Sequence, residues 1–412
     1  MLQRIETMQA DMRKRKKAGP VRLLFIQTQA EMAGAQEISR LLGEGLAHAE
    51  RFGEPEYEIH HLFFYRKTAA FDRWTNVHFC LEDSPRNPVS FLVFLWKLLR
   101  MIRRIKPDVL LTFQHYGNIF GAAAGRLAGV PVVIANHVSA PATVSPAARL
   151  IDRLLGLLGA YDVITVNSNE TWRNFQSYPA RYRRLLTHVP HGFEDKSVEI
   201  GRQEARALFG LPPGVLLIGS VARLHPLKQL DAAVAVLAER PALHLAIAGQ
   251  GPDEQRLRAM AAGLGVTDRL HLVGDLPPQK VGLFLASLNA FVFPSLAETF
   301  GLAAVEAAQA GVPVVANDLP VLREVLDVDG EPCALFARAA DTDDFAACID
   351  QVFQDHAATA RMVVLGRRLA ARYSVAGMVD AYAGLIGQAL GRGGSAPVSR
   401  PPRSMALHSS QR

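Results

Sequence analysis

The sequence predicts an α/β protein made of two doubly wound parallel sheets in tandem, with a ligand cleft between them. Three observations carry this. Short apolar runs alternate with longer helical patterns, the alternation resets near residue 195, and each series is long enough for its own core within 412 residues. Hydrophobic residues at 49% and charged residues at 20% exclude a disordered chain.

Residues 1–20 read as a loose basic leader. It contains Arg13-Lys-Arg-Lys-Lys17 and lacks the apolar stretch of a signal peptide. The first unit, 21–195, opens on the buried strand Val21–Ile26. Further strands fit Glu58–Phe63, Val109–Phe113, Val132–Ala135 and Asp162–Val166. Helices fit Ala35–Ala49, Phe91–Ile105, Asn118–Leu127 and Ala147–Leu158 between them. Polar Glu194–Glu199 and the breaker Leu211-Pro-Pro-Gly214 start the second unit, 196–372. Its strands are Val215–Val221, Leu243–Ala248, Leu270–Val273, Ala290–Phe293 and Val314–Ala316. Its helices include Leu227–Ala238, Asp253–Gly263 and Pro278–Ala286. Residues 361–390 are helical again, and 391–412 form a Gly/Pro/Ser/Arg tail read as disordered.

Cys80, Cys333 and Cys348 make neither a disulfide framework nor a metal cluster, and fit a reducing, cytoplasmic compartment. No run of 18 apolar residues predicts a membrane span. Residues 1–200 carry 26 Lys/Arg against 19 Asp/Glu, an excess of +7 in a chain of net charge +6. That asymmetry predicts a polyanionic or membrane-surface partner for the first half. The spacings of nucleic-acid-binding modules are absent, so no nucleic acid is expected.

Two carboxylates carry the chemistry. In Ser295-Leu-Ala-Glu298-Thr-Phe-Gly-Leu-Ala-Ala-Val-Glu306, Glu298 follows an apolar strand, and Glu306 sits among alanines of the helix that Gly301 opens. A carboxylate in such surroundings is costly to bury without a hydrogen-bonding partner, and a polyhydroxylated ligand would supply one. Arg223 and Lys228 precede a helix N-terminus after another strand, where two cations can hold a pyrophosphate. Ala248-Gly249-Gln-Gly251-Pro252 and Gly274 close two further strands. In the first unit, Met32-Ala-Gly34-Ala35-Gln36 follows the first strand, and His115 and His137 end neighbouring strands.

Together these segments resemble the retaining nucleotide-sugar glycosyltransferases of family 4, which have the two-domain GT-B fold. The resemblance runs over 21–390. Glu298 and Glu306 match the Glu-x7-Glu signature, which implies contacts to donor-sugar hydroxyls and to the nucleotide ribose. Arg223 and Lys228 match the diphosphate motif, with Gln229 where a glycine is usual. Gly249, Gly251 and Gly274 fall near the nucleotide. Thr299-Phe300-Gly301 replaces a usual Gly-Phe-Gly, placing Thr299 on the rim of the sugar pocket; Phe300 reads more as packing than as chemistry. Gly34 and Gln36 lie in the family's acceptor-side loop, where Ala33 stands for a glycine and its Cβ threatens the backbone conformation. His137 matches the active-site histidine, and His115 is a second cleft residue. His191-Gly192-Phe193 resembles the linker, Gly192 supplying an unusual backbone angle and His191 having no catalytic part. The helix 373–390 is implied to cross back to the first domain.

The resemblance implies transfer of a sugar from a nucleoside-diphosphate-sugar, UDP-sugar foremost, to a glycan or lipid-linked glycan hydroxyl. Anomeric configuration is retained, and no cofactor or metal is required. Capsule, lipopolysaccharide or related glycan synthesis is the implied context. A dinucleotide-dependent oxidoreductase would need Gly-x-Gly-x-x-Gly after the first strand, and residues 32–36 hold one glycine. A nucleotide-sugar epimerase stays open. A non-catalytic polysaccharide binder explains the donor set less well. Lastly, Phe91–Lys106 is apolar early and cationic late, so it either covers the sheet or sets Trp96 against a membrane with Arg103, Arg104 and Lys106 at anionic headgroups.

Overall fold

In the computed structural model, residues 19–31, 33–51, 54–139 and 143–391 are described. Most of the leader, Met32 and the tail beyond Gly391 lie outside them.

Apolar runs become strands where breakers bound them. The first sheet contains β1 (Val21–Ala30), β2 (Tyr57–Arg66), β3 (Val77–Leu81), β4 (Val109–Phe113), β5 (Val132–His137), β6 (Val163–Val166) and β7 (Leu186–His188). They lie in the order β3-β2-β1-β4-β5-β6-β7, all parallel. Helices α1 (Gly34–Ala47), α2 (Pro88–Ile105), α3 (Ala122–Ala128) and α4 (Pro146–Leu157) make the crossovers, and α5 (Asn169–Asn174) and α6 (Ala180–Arg183) follow β6. The helix read as Asn118–Leu127 begins as a π-turn at Gly117–Gly121. Helix α2 starts three residues before the reading, at Pro88, because Asn87 and Ser90 form a reciprocal cap.

The second sheet repeats the pattern after α7 (Arg202–Leu208). Its strands are β8 (Leu216–Val221), β9 (Leu243–Ala248), β10 (Leu270–Gly274), β11 (Ala290–Phe293), β12 (Val314–Asn317) and β13 (Leu335–Ala337). Their order is β10-β9-β8-β11-β12-β13, also parallel. Helices α8 (Leu230–Glu239), α9 (Glu254–Gly263), α10 (Pro278–Ala286), α11 (Leu302–Gln309), α12 (Pro320–Val325) and α13 (Thr342–Gln354) surround it. In both sheets the order reverses beside the first strand, at β1/β4 and β8/β11, which opens a crevice at the carboxyl ends.

The helical stretch 361–390 is two helices, α14 (His356–Arg372) and α15 (Val375–Ala389), interrupted at Tyr373–Ser374. There the chain pairs with the linker: Phe193 N donates to Tyr373 O at 2.8 Å. Gly192 takes no positive φ, contrary to expectation. A side chain there would instead collide with the Ser374 carbonyl, so glycine serves the close crossing of two chain segments. Helix α15 packs on α1, and the Tyr382 hydroxyl donates to Asn136 Oδ1 of β5 at 2.5 Å.

Candidate active site

The segment after β8 turns through a 3-10 stretch at Pro226–Lys228, so α8 begins at Leu230 and not at the expected Leu227. Gln229 takes φ 47° and ψ 38°. The residue in the glycine's place thus adopts the left-handed backbone that a glycine takes freely, at a cost of about 1–2 kcal/mol. The turn aims Lys228 at the loop after β11, where its Nζ meets Glu298 Oε1 at 2.5 Å. Leu296 N bonds Leu227 O at 2.9 Å and ties the two loops together. Arg223 reaches the other way, its Nη1 3.8 Å from Glu31 Oε2 at the end of β1. Glu31 is itself held by Lys67 Nζ at 2.7 Å and Gln29 Nε2 at 2.8 Å.

Gly249, Gly251 and Gly274 shape this corner. Gly249 has φ 140°, its N–H bonds Gly274 O at 2.7 Å, and a Cβ would strike the Ala222 carbonyl. A Cβ on Gly251 would strike Leu224 O. Both glycines therefore let the β9 turn lie flat against the backbone that carries Arg223.

Gly301, at φ 88°, turns the Glu298 loop into α11. Phe300 is 2% exposed, its ring 5.3 Å from that of His191 and 5.0 Å from that of Tyr373. Its ring is used in packing and has no face for a ligand. Thr299 is half-buried where the two units meet. Its Oγ1 lies 3.4 Å from both Asn167 Nδ2 and Val138 O, and its carbonyl accepts from Ser168 Oγ at 3.0 Å. It joins the two units. Glu306 is half-buried, with no side-chain hydrogen bond among the described residues. Lost hydration pushes its pKa up to about 7; Lys196 opposes this, while Glu37 and Glu194 add to it. A carboxyl in that state lacks the hydroxyl donors that would hold it ionised.

On the opposite wall, Ala33 sits at φ −151° and ψ 175°, ordinary extended backbone, so its Cβ strains no backbone angle. A Cβ on Gly34 would stand 2.5 Å from Leu302 Cδ1, so this glycine permits the closest approach of α1's start to α11. Gln36 is fully buried, and its Nε2 donates to Gln29 O at 3.0 Å. His115 sits in a short turn after β4, its Nδ1 3.4 Å from Ser139 Oγ. Burial, then the nearby His137, depresses its pKa, while Asp152 opposes them. His137 ends β5, with Nε2 3.4 Å from Asp152 Oδ1 and 3.2 Å from the Tyr182 hydroxyl. His191 is buried, bonded to Asn167 Nδ2 at 2.9 Å, and pushed down to about 3 by desolvation and then by His188, so it stays neutral.

Two known profiles divide the chain as the sheets do. Glycosyltransferase Family 4 matches residues 48–196, and Glycosyl transferases group 1 matches 201–368. The first unit thus resembles the family 4 glycosyltransferases and the second the group 1 glycosyltransferases. The D-inositol 3-phosphate glycosyltransferase of Acidothermus cellulolyticus is 31% identical over 57% of this chain, a match that spans 59% of that relative. The enzyme of the same description from Nocardia farcinica is 28% identical over 79% of this chain and 78% of its own. The fold is GT-B. The Anabaena HepE structure with UDP and glucose superposes at a TM-score of 0.76 and 16% identity, covering 89% of this chain and all of that one. Sucrose-phosphate synthase from Thermosynechococcus elongatus gives 0.75 at 18% identity, with 90% and 100% covered.

The chain also uses residues that sequence reasoning passed over. Asp152 stands beside His137, although α4 with Arg149 and Arg153 reads as a surface helix. The signal was the spacing of Ala148, Asp152 and Gly156, which puts an acid on the stripe of small residues that faces inward. Lys196 and Glu194 join Arg40 of α1 through ion pairs of 3.0 and 3.2 Å. Glu324 of α12 accepts from Asn169 N and Glu170 N at 2.5 and 2.8 Å and so caps α5 across the cleft. No local pattern announces these last pairs. Among the described residues no group of three or more His, Cys, Asp or Glu is arranged to hold a metal ion.

Proposed function

We propose that the chain is a retaining glycosyltransferase that moves a sugar from a nucleoside-diphosphate-sugar, UDP-sugar foremost, to a hydroxyl of a glycan or lipid-linked glycan. The observation that carries this is the meeting of Lys228 and Glu298 at 2.5 Å, which joins a cation and a carboxylate from two different strand ends at one switch point. In this reading Arg223 and Lys228 exchange carboxylate partners for the donor diphosphate and neutralise it as it leaves. Freed from Lys228, Glu298 accepts from sugar hydroxyls, and Glu306 accepts from the ribose. His137 borders the transferred sugar, and Gly34 lets the acceptor wall approach it. The bond from the anomeric carbon to the diphosphate oxygen breaks and the acceptor oxygen bonds on the same face. The acceptor proton passes to the leaving phosphate. No carboxylate is assigned as a covalent nucleophile, because both have donor hydroxyls to bind.

Relatives act on inositol 3-phosphate and 2-deoxystreptamine by their descriptions, and HepE is seen with UDP-glucose. These support a UDP-sugar and a polyhydroxylated acceptor. The test is a panel of nucleotide-sugars with and without chelator, with the anomeric configuration of the product read by NMR. Transfer from one UDP-sugar with retention is expected, unaffected by chelator. Donor isomerisation without acceptor would select the epimerase instead.

We further propose peripheral contact with an anionic membrane, from the cytoplasmic side. No described helix is long and apolar enough to cross one. Helix α2 serves both readings of its sequence. Phe94, Leu98 and Ile102 cover the sheet, while Leu92 and Trp96 are 65% and 57% exposed on the other side. Arg100 lies 5.0 Å over the Trp96 ring, and Arg103 and Arg104 end the helix. Leu150, Ile151 and Leu154 of α4 are exposed as well, beside Arg149 and Arg153.

A further inference from the structure

Asp152 is a buried carboxylate that the donor chemistry does not use. It lies on α4 directly under His137, the residue that ends β5 at the cleft. Tyr161 donates to its Oδ1 at 2.9 Å and Tyr182 to its Oδ2 at 2.6 Å. Room for Tyr182 comes from Gly156, one turn along α4, where any Cβ would collide with the tyrosine ring. The ring of Phe175 packs edge-on against His137 with centroids 4.9 Å apart.

We propose that Asp152, with Tyr182, is the positioning device of His137: the pair fixes the imidazole with its hydrogen on Nε2 and leaves Nδ1 as the atom offered to the transferred sugar or the acceptor hydroxyl. The argument is one of donors and acceptors. Burial works to raise the pKa of Asp152, but His137 and the two tyrosine hydroxyls outweigh it and the pKa falls, so the group is a carboxylate and can only accept. The hydroxyl hydrogen of Tyr182 is committed to Asp152, so its oxygen meets His137 as an acceptor too. Nε2 thus faces two acceptors, at 3.4 and 3.2 Å, and must itself carry the hydrogen. With Nε2 occupied inside the unit, Nδ1 is the one polar ring atom left for a ligand. His115, Tyr178, Arg149 and Arg153 are the other titratable groups that bear on this corner, and among the described residues none of them hydrogen-bonds the His137 ring.

The inference rests on the glycosyltransfer reading, and the experiment separates the two. Transfer kinetics and nitrogen-15 spectra of histidine-labelled protein would be recorded for wild type, His137→Ala, Asp152→Asn and Tyr182→Phe. Wild-type His137 should keep its hydrogen on Nε2. In Asp152→Asn, whose amide can either donate or accept, the two tautomers should mix, and kcat should fall roughly 10- to 100-fold with donor KM little changed, as for outer partners of other functional histidines. Tyr182→Phe keeps the carboxylate but removes one acceptor. It should lower kcat by a few fold and decides the matter if the Asn variant does not fold. Wild-type transfer by His137→Ala would sink the placing of His137 in the site. Loss of transfer in His137→Ala, with an unchanged tautomer and kcat in the Asp152 or Tyr182 variant, would sink only the positioning role.

Discussion

Glu306 titrates close to neutrality, and this makes its role measurable. Its pKa of about 7 lies above the ordinary 4.5, so the folded chain prefers the neutral acid. Below about pH 4.5 the group is protonated both folded and unfolded. As pH rises toward 7 the unfolded chain loses the proton first, and the stability of the ligand-free protein falls relative to Glu306→Gln. Comparing urea midpoints of the two proteins across pH 4 to 8 checks this; parallel curves would count against it. Nucleotide affinity should run the other way. Ribose hydroxyls donate to the ionised group, so wild-type UDP binding should strengthen as pH climbs through 7, and Glu306→Gln should be weaker by roughly tenfold and flat. Glu298→Gln should instead depress turnover, on the order of 10²-fold, with a smaller effect on nucleotide binding. Arg223→Ala and Lys228→Ala should slow transfer by a similar factor, and a fully active double variant would remove the diphosphate assignment.

At the scale of elements, the sequence marks a strand best when it is central. Strands β4, β9 and β11 and helix α10 have the bounds read from the sequence, because their apolar runs end at polar or breaking residues. Strands β3, β7 and β13 went unread. Each lies at a sheet edge; His78 in β3 and His188 in β7 break the apolar run, and β13 is only three residues long. Site residues divide the same way. Motif spacing brought Lys228 and Glu298 to one place, whereas the use of Thr299 as an inter-unit bridge depends on Asn167 and Val138, more than 130 positions earlier. Gly301 gives a test at this scale. Alanine there must hold φ 88° and displace Leu322, so Gly301→Ala should lower stability by about 1–2 kcal/mol in a denaturant melt and impair donor binding. Unchanged donor affinity would show that the loop tolerates a different entry to α11.

Across the whole molecule, charge and apolar exposure coincide on the first unit. The protein should bind vesicles containing anionic lipid at low salt and leave them as salt rises, because cation–headgroup attraction is screened within about 10 Å at 0.1 M. Trp96→Ser should weaken attachment at every salt concentration, and Arg103→Gln with Arg104→Gln should abolish the preference for anionic lipid. Equal partitioning to neutral vesicles would return α2 to a sheet cover. The crossing of α15 has a consequence of another kind, for the order of events at the ribosome. Asn136 of the first sheet waits for a hydroxyl 246 positions later in the chain. At about 5–20 residues per second, translation separates the two by roughly 10–50 s. Through that interval the face of α1 that α15 covers stays bare, and the nascent first unit is a client for whatever shields apolar surface. Arresting synthesis before Val375 should give a protease-sensitive first unit, and supplying residues 375–389 as a separate peptide should protect it.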